Sequence, residues 1–271
     1  MSRNLIFLHI PKAAGSTLRS IIKRQYPDQQ VYQIWSIPSL QRSIDEFKGL
    51  PESERKNVRF LTGHWVFGLH GHLIGSTEYV TMLRKPVSRV ISNYYHVRRS
   101  SEHRLHEEVM EKDMSLREYV ASGVNAALDN QMVWDVVGAS QKREDEKMLR
   151  RAKENIERFF GIVGLVERFD ESLLLMKKYF GWGDVSYRKR NVTHDRPGRD
   201  DIPRDVFREI KERNHLDVEL YKFAEKKLLR KLREVDLSGE LRRLHFKCWM
   251  RSVKAKLKGQ VGQKLAKLGL R

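Results

Sequence analysis

Two stretches of this chain carry residue types at spacings suited to holding an anion. In His9 to Ile22 (HIPKAAGSTLRSII) an apolar run ends, a lysine and small residues form a tight turn, and a helical pattern begins. Ala13, Ala14 and Gly15 let backbone N–H groups approach a charged oxygen closely, and the start of a helix adds a partial positive charge. Ser16 and Thr17 add hydroxyl donors, Lys12 adds a full charge, and Leu18 begins the buried face of the helix. This is a phosphate cradle in physical terms. It differs from a Walker A loop, which puts its lysine after the last glycine. The second stretch, Tyr79 to Tyr95 (YVTMLRKPVSRVISNYY), sets Arg84 where a strand ends and Pro86 where a helix begins. Ser88 and Ser92 are four residues apart and share a face of that helix. Arg84 can grip a phosphate through its two-pronged guanidinium. A third stretch, Phe60 to Gly75 (FLTGHWVFGLHGHLIG), brings His64, His70 and His72 close in sequence. Histidine suits proton removal because its ordinary pKa lies near 6.5. No other ligand cluster supports a metal site, and none is expected.

Such side chains need a scaffold that delivers them to one place. Asn4–Ile10, Val31–Trp35, Val58–Thr62, Tyr79–Leu83 and Ile162–Val166 read as strands. Gly15–Gln25, Leu40–Phe47 and Pro86–Arg98 read as helices between them, with proline in a first turn where it costs no hydrogen bond. Strands alternating with helices argue for an α/β fold, a parallel sheet wrapped by helices. Sheets of that kind hold ligands above the carboxyl ends of their strands, where Lys12, His64 and Arg84 would all emerge. From Pro203 the pattern is helical, with periodic segments at Val206–Arg213 and Leu216–Leu232. A weak break at Ser238-Gly239 leads into a basic tail that also has helical spacing. The expected organisation is one domain over residues 1–235 and a basic amphipathic C-terminal tail over residues 236–271.

The 271 residues are 40% hydrophobic and 32% charged, enough apolar material for a buried core, so wholesale disorder is excluded. No apolar run has the roughly 18 residues that a membrane-spanning helix needs. One cysteine, Cys248, excludes an internal disulfide framework, and the bland expectation is a reducing, cytoplasmic setting. Net charge is +18, and half of it, +9, sits between Glu240 and Arg271. Such a field attracts phosphates, anionic polysaccharide, nucleic acid or an anionic membrane face. A nucleic-acid-binding protein is one reading of the charge, but no zinc finger, RNA-binding signature or basic zipper accompanies it. A P-loop-like nucleotide kinase or transferase is another, and the placement of the lysine speaks against it. The tail reads as a helix for an anionic membrane surface or a polyanion, and the first of these would place the protein peripherally on the inner membrane face.

Taken together, His9–Leu18 and Leu83–Tyr94 resemble sulfotransferases, most closely sulfotransferase family 2 and its heparan-sulfate 2-O/6-O branch. That family carries a His-Ile-Pro-Lys-Thr-Gly-Gly-Thr-like loop and a Leu-Arg-Asp-Pro-Val-x-Arg-x-x-Ser-like segment. The resemblance extends through Gly161–Trp182, Arg190–Pro197 and His215–Leu228, from about Asn4 to Leu232, and leaves out the tail. It implies a P-loop-like fold and the donor PAPS (3′-phosphoadenosine 5′-phosphosulfate), with PAP as product. The implied acceptor is a hydroxyl of a carbohydrate or polysaccharide. Residues 12–18 would hold the 5′-phosphosulfate, with Lys12 as the catalytic cation. Arg84 and Ser92 would hold the 3′-phosphate. Thr193 and Arg196 would contact the donor from a segment that closes over it. His64, after Gly63, is the expected base, with His70 and His72 as rivals. Asn130 and Gln131 match an acceptor-cleft segment. The chain departs from the pattern at Ala13, Ala14 and Lys85, where the family has Thr, Gly and Asp.

Overall fold

The computed structural model describes residues 3–34, 39–63, 67–138, 146–188 and 202–267, without the side chains of 126, 256 and 258–267. Five parallel strands form one sheet: β1 (Asn4–Leu8), β2 (Val31–Ile34), β3 (Phe60–Gly63), β4 (Thr77–Leu83) and β5 (Phe160–Leu165), in the order β2-β3-β1-β4-β5. All five residues of β1 are buried, as a strand covered on both faces requires. Its register sets Leu8 beside Gly63 on one side and Phe7 beside Val80 on the other.

Helices cover the sheet and extend it. After β1 comes α1 (Gly15–Lys23), which buries Leu18, Ile21 and Ile22. Then come α2 (Leu40–Lys48), α3 (Glu52–Arg55) and, after β4, the long α4 (Pro86–Arg99). Two short helices, α5 (His106–Glu111) and α6 (Leu116–Ala121), precede α7 (Gln131–Val137) and α8 (Glu146–Phe159). After β5 come α9 (Phe169–Phe180), α10 (Arg204–Arg213), α11 (His215–Arg233) and α12 (Ser238–Lys267). One apolar core surrounds the sheet. A second, smaller one joins Val90, Tyr94 and Val97 of α4 to Tyr119, Val120, Val206 and Ile210. The second core packs the apolar side of α4, which fixes the helix that follows Arg84.

A buried polar knot ties α4 to the helices behind it. The fully buried Arg89 donates to Ala127 O at 2.9 Å and lies 3.9 Å from Asp217, itself fully buried. Asp217 accepts the Met132 and Val133 amides at the start of α7. Asn130 Oδ1 accepts the Leu216 and Asp217 amides at the start of α11. Asn130 and Asp217 thus cap each other's helices, satisfying first-turn amides that water does not reach.

Strand order decides where a ligand fits. The chain leaves β1 toward β2 at one edge and leaves β4 toward β5 at the other. β1 and β4 are neighbours, so the loops after them diverge and open a crevice at the carboxyl edge. Those loops are the two anion-suited stretches.

Candidate functional site

The strand β1 stops at Leu8, two residues short of the Ile10 expected from hydropathy, because the turn has begun. Thr81 Oγ1 donates to Leu8 O at 2.7 Å and ties the strand end to β4. The His9 ring stacks on Phe7 with centroids 5.5 Å apart. It also lies flat against Gly15, where a Cβ would fall 1.9 Å from the ring. Only glycine permits that approach. Lys12 (φ 65°) and Ala14 (φ 57°) both adopt the left-handed conformation, which costs a non-glycine residue about 1–2 kcal/mol. The turn is held by the Ala13 amide on Ile10 O at 3.3 Å and the Leu18 amide on Ala14 O at 3.2 Å. Gly15, Ser16 and Thr17 then form the first turn of α1, whose amides have no carbonyl within the helix to bond.

Arg84 follows β4 and reaches across the crevice. Its Nη1 donates to Lys12 O at 2.9 Å, so one guanidinium joins both loops. Lys12, Gly15, Ser16, Thr17, Arg84 and Ser92 line one cavity of about 660 Å³. Its wall continues along α4 through Asn93, His96 and Arg99 to Ser100 and His103. The Asn93 carboxamide oxygen accepts from Tyr119 Oη at 2.7 Å and Asn125 Nδ2 at 2.8 Å, which anchors that wall to α6.

The cavity is cationic. No carboxylate is among the described residues that line it, while Lys12, Arg84 and Arg99 are. Burial, reinforced by Lys12, His103 and Arg99, pushes the His96 imidazole down to about 4. Burial, Arg104 and Lys12 lower His103 as well. At neutral pH both rings are neutral and offer one donor and one acceptor each within a positive field. A multiply charged anion fits this lining; a cation does not. Among the described residues no cluster of three metal-ligating side chains occurs.

Other expected residues take different places. The side chains of Ala13 and Leu18 are 1% and 0% exposed, and their amides are spent in the turn, so they shape the cradle without facing its contents. Lys85 is exposed and borders a neighbouring, more apolar cavity with Pro86 and Phe207, while its amide donates to Glu167 at 2.9 Å. His70 and His72 lie away from the cavity. His70 packs against Phe67 and Phe159 and hydrogen-bonds Tyr79 Oη at 3.1 Å. Tyr79, near the amino end of β4, also accepts the Gly68 and His70 amides. Asn130 and Gln131 are structural: the first caps α11, and the second donates to Asp135 at 2.6 Å. His64, Thr193 and Arg196 lie outside the described residues. The lining residues His9, His96, Arg99 and His103 were missed from sequence. A legible signal existed for two of them: Ser92, His96 and Arg99 recur at four and three residues along one helix face.

Comparisons bear on what this cavity is for. A family model described as galactose-3-O-sulfotransferase matches residues 1–247. Galactose-3-O-sulfotransferase 3 of Homo sapiens is 30% identical over 233 residues, covering 79% of this chain and 54% of that protein. Galactosylceramide sulfotransferase of Homo sapiens is 26% identical over 253 residues, covering 85% and 58%. Heparan-sulfate 6-O-sulfotransferase 3 of Mus musculus is 24% identical over 272 residues, covering 81% and 56%. The chain spans about half the length of the curated relatives it matches. A mouse sulfotransferase crystallised with PAP aligns at 14% identity and a TM-score of 0.41, over 68% of this chain and 60% of that one.

Proposed function

The chain belongs to the galactose-3-O-sulfotransferase family, and from that premise we propose that it transfers a sulfuryl group from PAPS to a hydroxyl of a galactose-containing or related carbohydrate. The family refines the heparan-sulfate branch suggested by the motifs, although one member of that branch is among the relatives. The observation that carries the reading is the shared cavity at the β1/β4 crevice, with the cations of both anion-suited loops around it.

In this reading, Lys12 and the first amides of α1 bind the 5′-phosphosulfate. Arg84 and Ser92 bind the 3′-phosphate. A base removes the acceptor's hydroxyl proton, the hydroxyl oxygen bonds to sulfur, and the bond from sulfur to the bridging oxygen breaks to release PAP. Lys12 stabilises the charge that develops on that leaving oxygen. Holding donor and acceptor in line does much of the remaining catalysis, as in phosphoryl transfer. His64 is assigned as the base on sequence: it directly follows Gly63, the last residue of β3, which pairs with Leu8 at the carboxyl edge. Thr193 and Arg196 are assigned to the donor on the resemblance alone.

Incubation with sulfur-labelled PAPS and a panel of galactosides, including a galactosyl lipid, tests the reading. Label should pass to a galactoside, and His64→Ala should lower turnover by about 10²–10⁴ with PAP affinity unchanged. Full turnover in His64→Ala would move the base elsewhere. A chain that binds PAP but sulfates no carbohydrate would overturn the acceptor class.

A further inference from the structure

The helix α12 carries two apolar faces, and the body of the protein uses one. Leu244 is 4% exposed against the core, and Leu241 and Cys248 pack beside it. The same face is pinned by Arg251, which donates to Ser186 Oγ at 2.6 Å and to Asp184 at 2.8 Å. At 3.6 residues per turn, Phe246, Trp249 and Leu257 fall on the opposite side. They are 61%, 58% and 55% exposed, and the Phe246 and Trp249 rings pack on each other 5.9 Å apart. A helix that only docked on its own domain would need no second stripe.

We propose that the outward face of α12 lies on an anionic lipid surface. Its charge points there: between Glu240 and Arg271 the chain carries ten basic residues and one acidic. Arg242, Arg243 and Lys254 are exposed beside the apolar stripe. A basic helix with Trp, Phe and Leu along one face inserts those side chains at the headgroup boundary while its cations meet anionic headgroups. A soluble polyanion would engage the charge but leave the stripe in water. A second copy of the chain would bring another helix of net +8 against this one. The assignment does not depend on the reaction catalysed.

Co-sedimentation of the full chain with vesicles tests it, using phosphatidylcholine alone and phosphatidylcholine mixed with phosphatidylserine. The protein should bind the mixed vesicles at least tenfold more tightly. Combined Phe246→Ser, Trp249→Ser and Leu257→Ser should lower that affinity at least tenfold and leave the melting temperature unchanged, since these side chains stay out of the core. Equal binding to both vesicle types would overturn the proposal. So would undiminished vesicle binding by the triple variant, which would mark a surface that reads charge alone. A dimer abolished by the triple variant, in a chain that ignores vesicles, would give the face to a second copy.

Discussion

Arg84 acts at two places in one wall. Of the five N–H donors on a guanidinium, one closes on the Lys12 carbonyl and holds the first loop in its left-handed turn. Arg84→Ala therefore removes a charge and loosens the cradle beside it. PAP affinity should fall by more than the loss of one charge-assisted bond, about 1.5–3 kcal/mol, and a calorimetric loss smaller than that would deny the coupling. His96 reports the field directly. Its imidazole titrates at about 4 because burial, Lys12, His103 and Arg99 all oppose protonation. A bound bisphosphate reverses that field and raises the value, so binding takes up protons at pH 4–6. NMR titration of the ring should show the apparent pKa rising when PAP is added, and an unmoved value would put the nucleotide elsewhere. The same sign applies to folding: the unfolded chain's histidine takes a proton near 6.5 and the folded one near 4, so His96 contributes stability at neutral pH that is lost as pH falls through that window. Lys12 and Arg84 are legible in the sequence because each carries a charge in a loop just past a strand end. His96 and Arg99 draw their meaning from the helix face they share with Ser92, and His103 from the turn that follows α4.

At the level of elements, the site depends on how firmly α1 and α4 are held. The close contact of Gly15 with the His9 ring leaves no space for a methyl group. Gly15→Ala should cost about 1–3 kcal/mol of stability, as overpacking does, and weaken PAP binding as the cradle shifts. A thermal melt and affinity equal to the parent's would show that the loop adapts freely. The buried Arg89–Asp217 pair fixes α4 from behind, and Asp217→Ala leaves a buried guanidinium uncompensated and two amides of α7 uncapped. Denaturant titration should give a loss of about 3–5 kcal/mol, and a loss under about 1 kcal/mol would mean the knot is incidental. Strands and long helices were legible because their periodicities are clean: all five strand regions and α1, α2, α4, α10 and α11 stand within a few residues of expectation. Between residues 100 and 160 no helix or strand is legible in the sequence, although α5 to α8 lie there. α5 and α6 are only six residues each, too short for a periodicity, though Ser115 and Glu118 form a capping box that marks the start of α6. The break expected at Ser238-Gly239 falls just before it, between Arg233 and Ser238, and Ser238 opens α12, since serine favours a helix start.

Across the whole molecule, topology and charge act together. The switch in strand order brings loops some seventy residues apart in sequence to one crevice, lined by Lys12, Arg84 and Arg99 in a chain of net charge +18. Salt should therefore slow the association of a tetra-anionic nucleotide, as the screening length shrinks from about 10 Å at 0.1 M to about 3 Å at 1 M. Stopped-flow rates independent of ionic strength would mean that the global charge serves another partner. Motif spacing identified the two loops, but only the strand order shows that they meet. The account rests on that meeting, with a cation grip at each end of one ligand. Calorimetry with PAP, adenosine 5′-phosphate and adenosine 3′-phosphate probes it most directly. PAP should bind at least tenfold more tightly than either monophosphate, and Arg84→Ala should narrow the gap. PAP binding no tighter than a monophosphate would contradict the two-ended clasp.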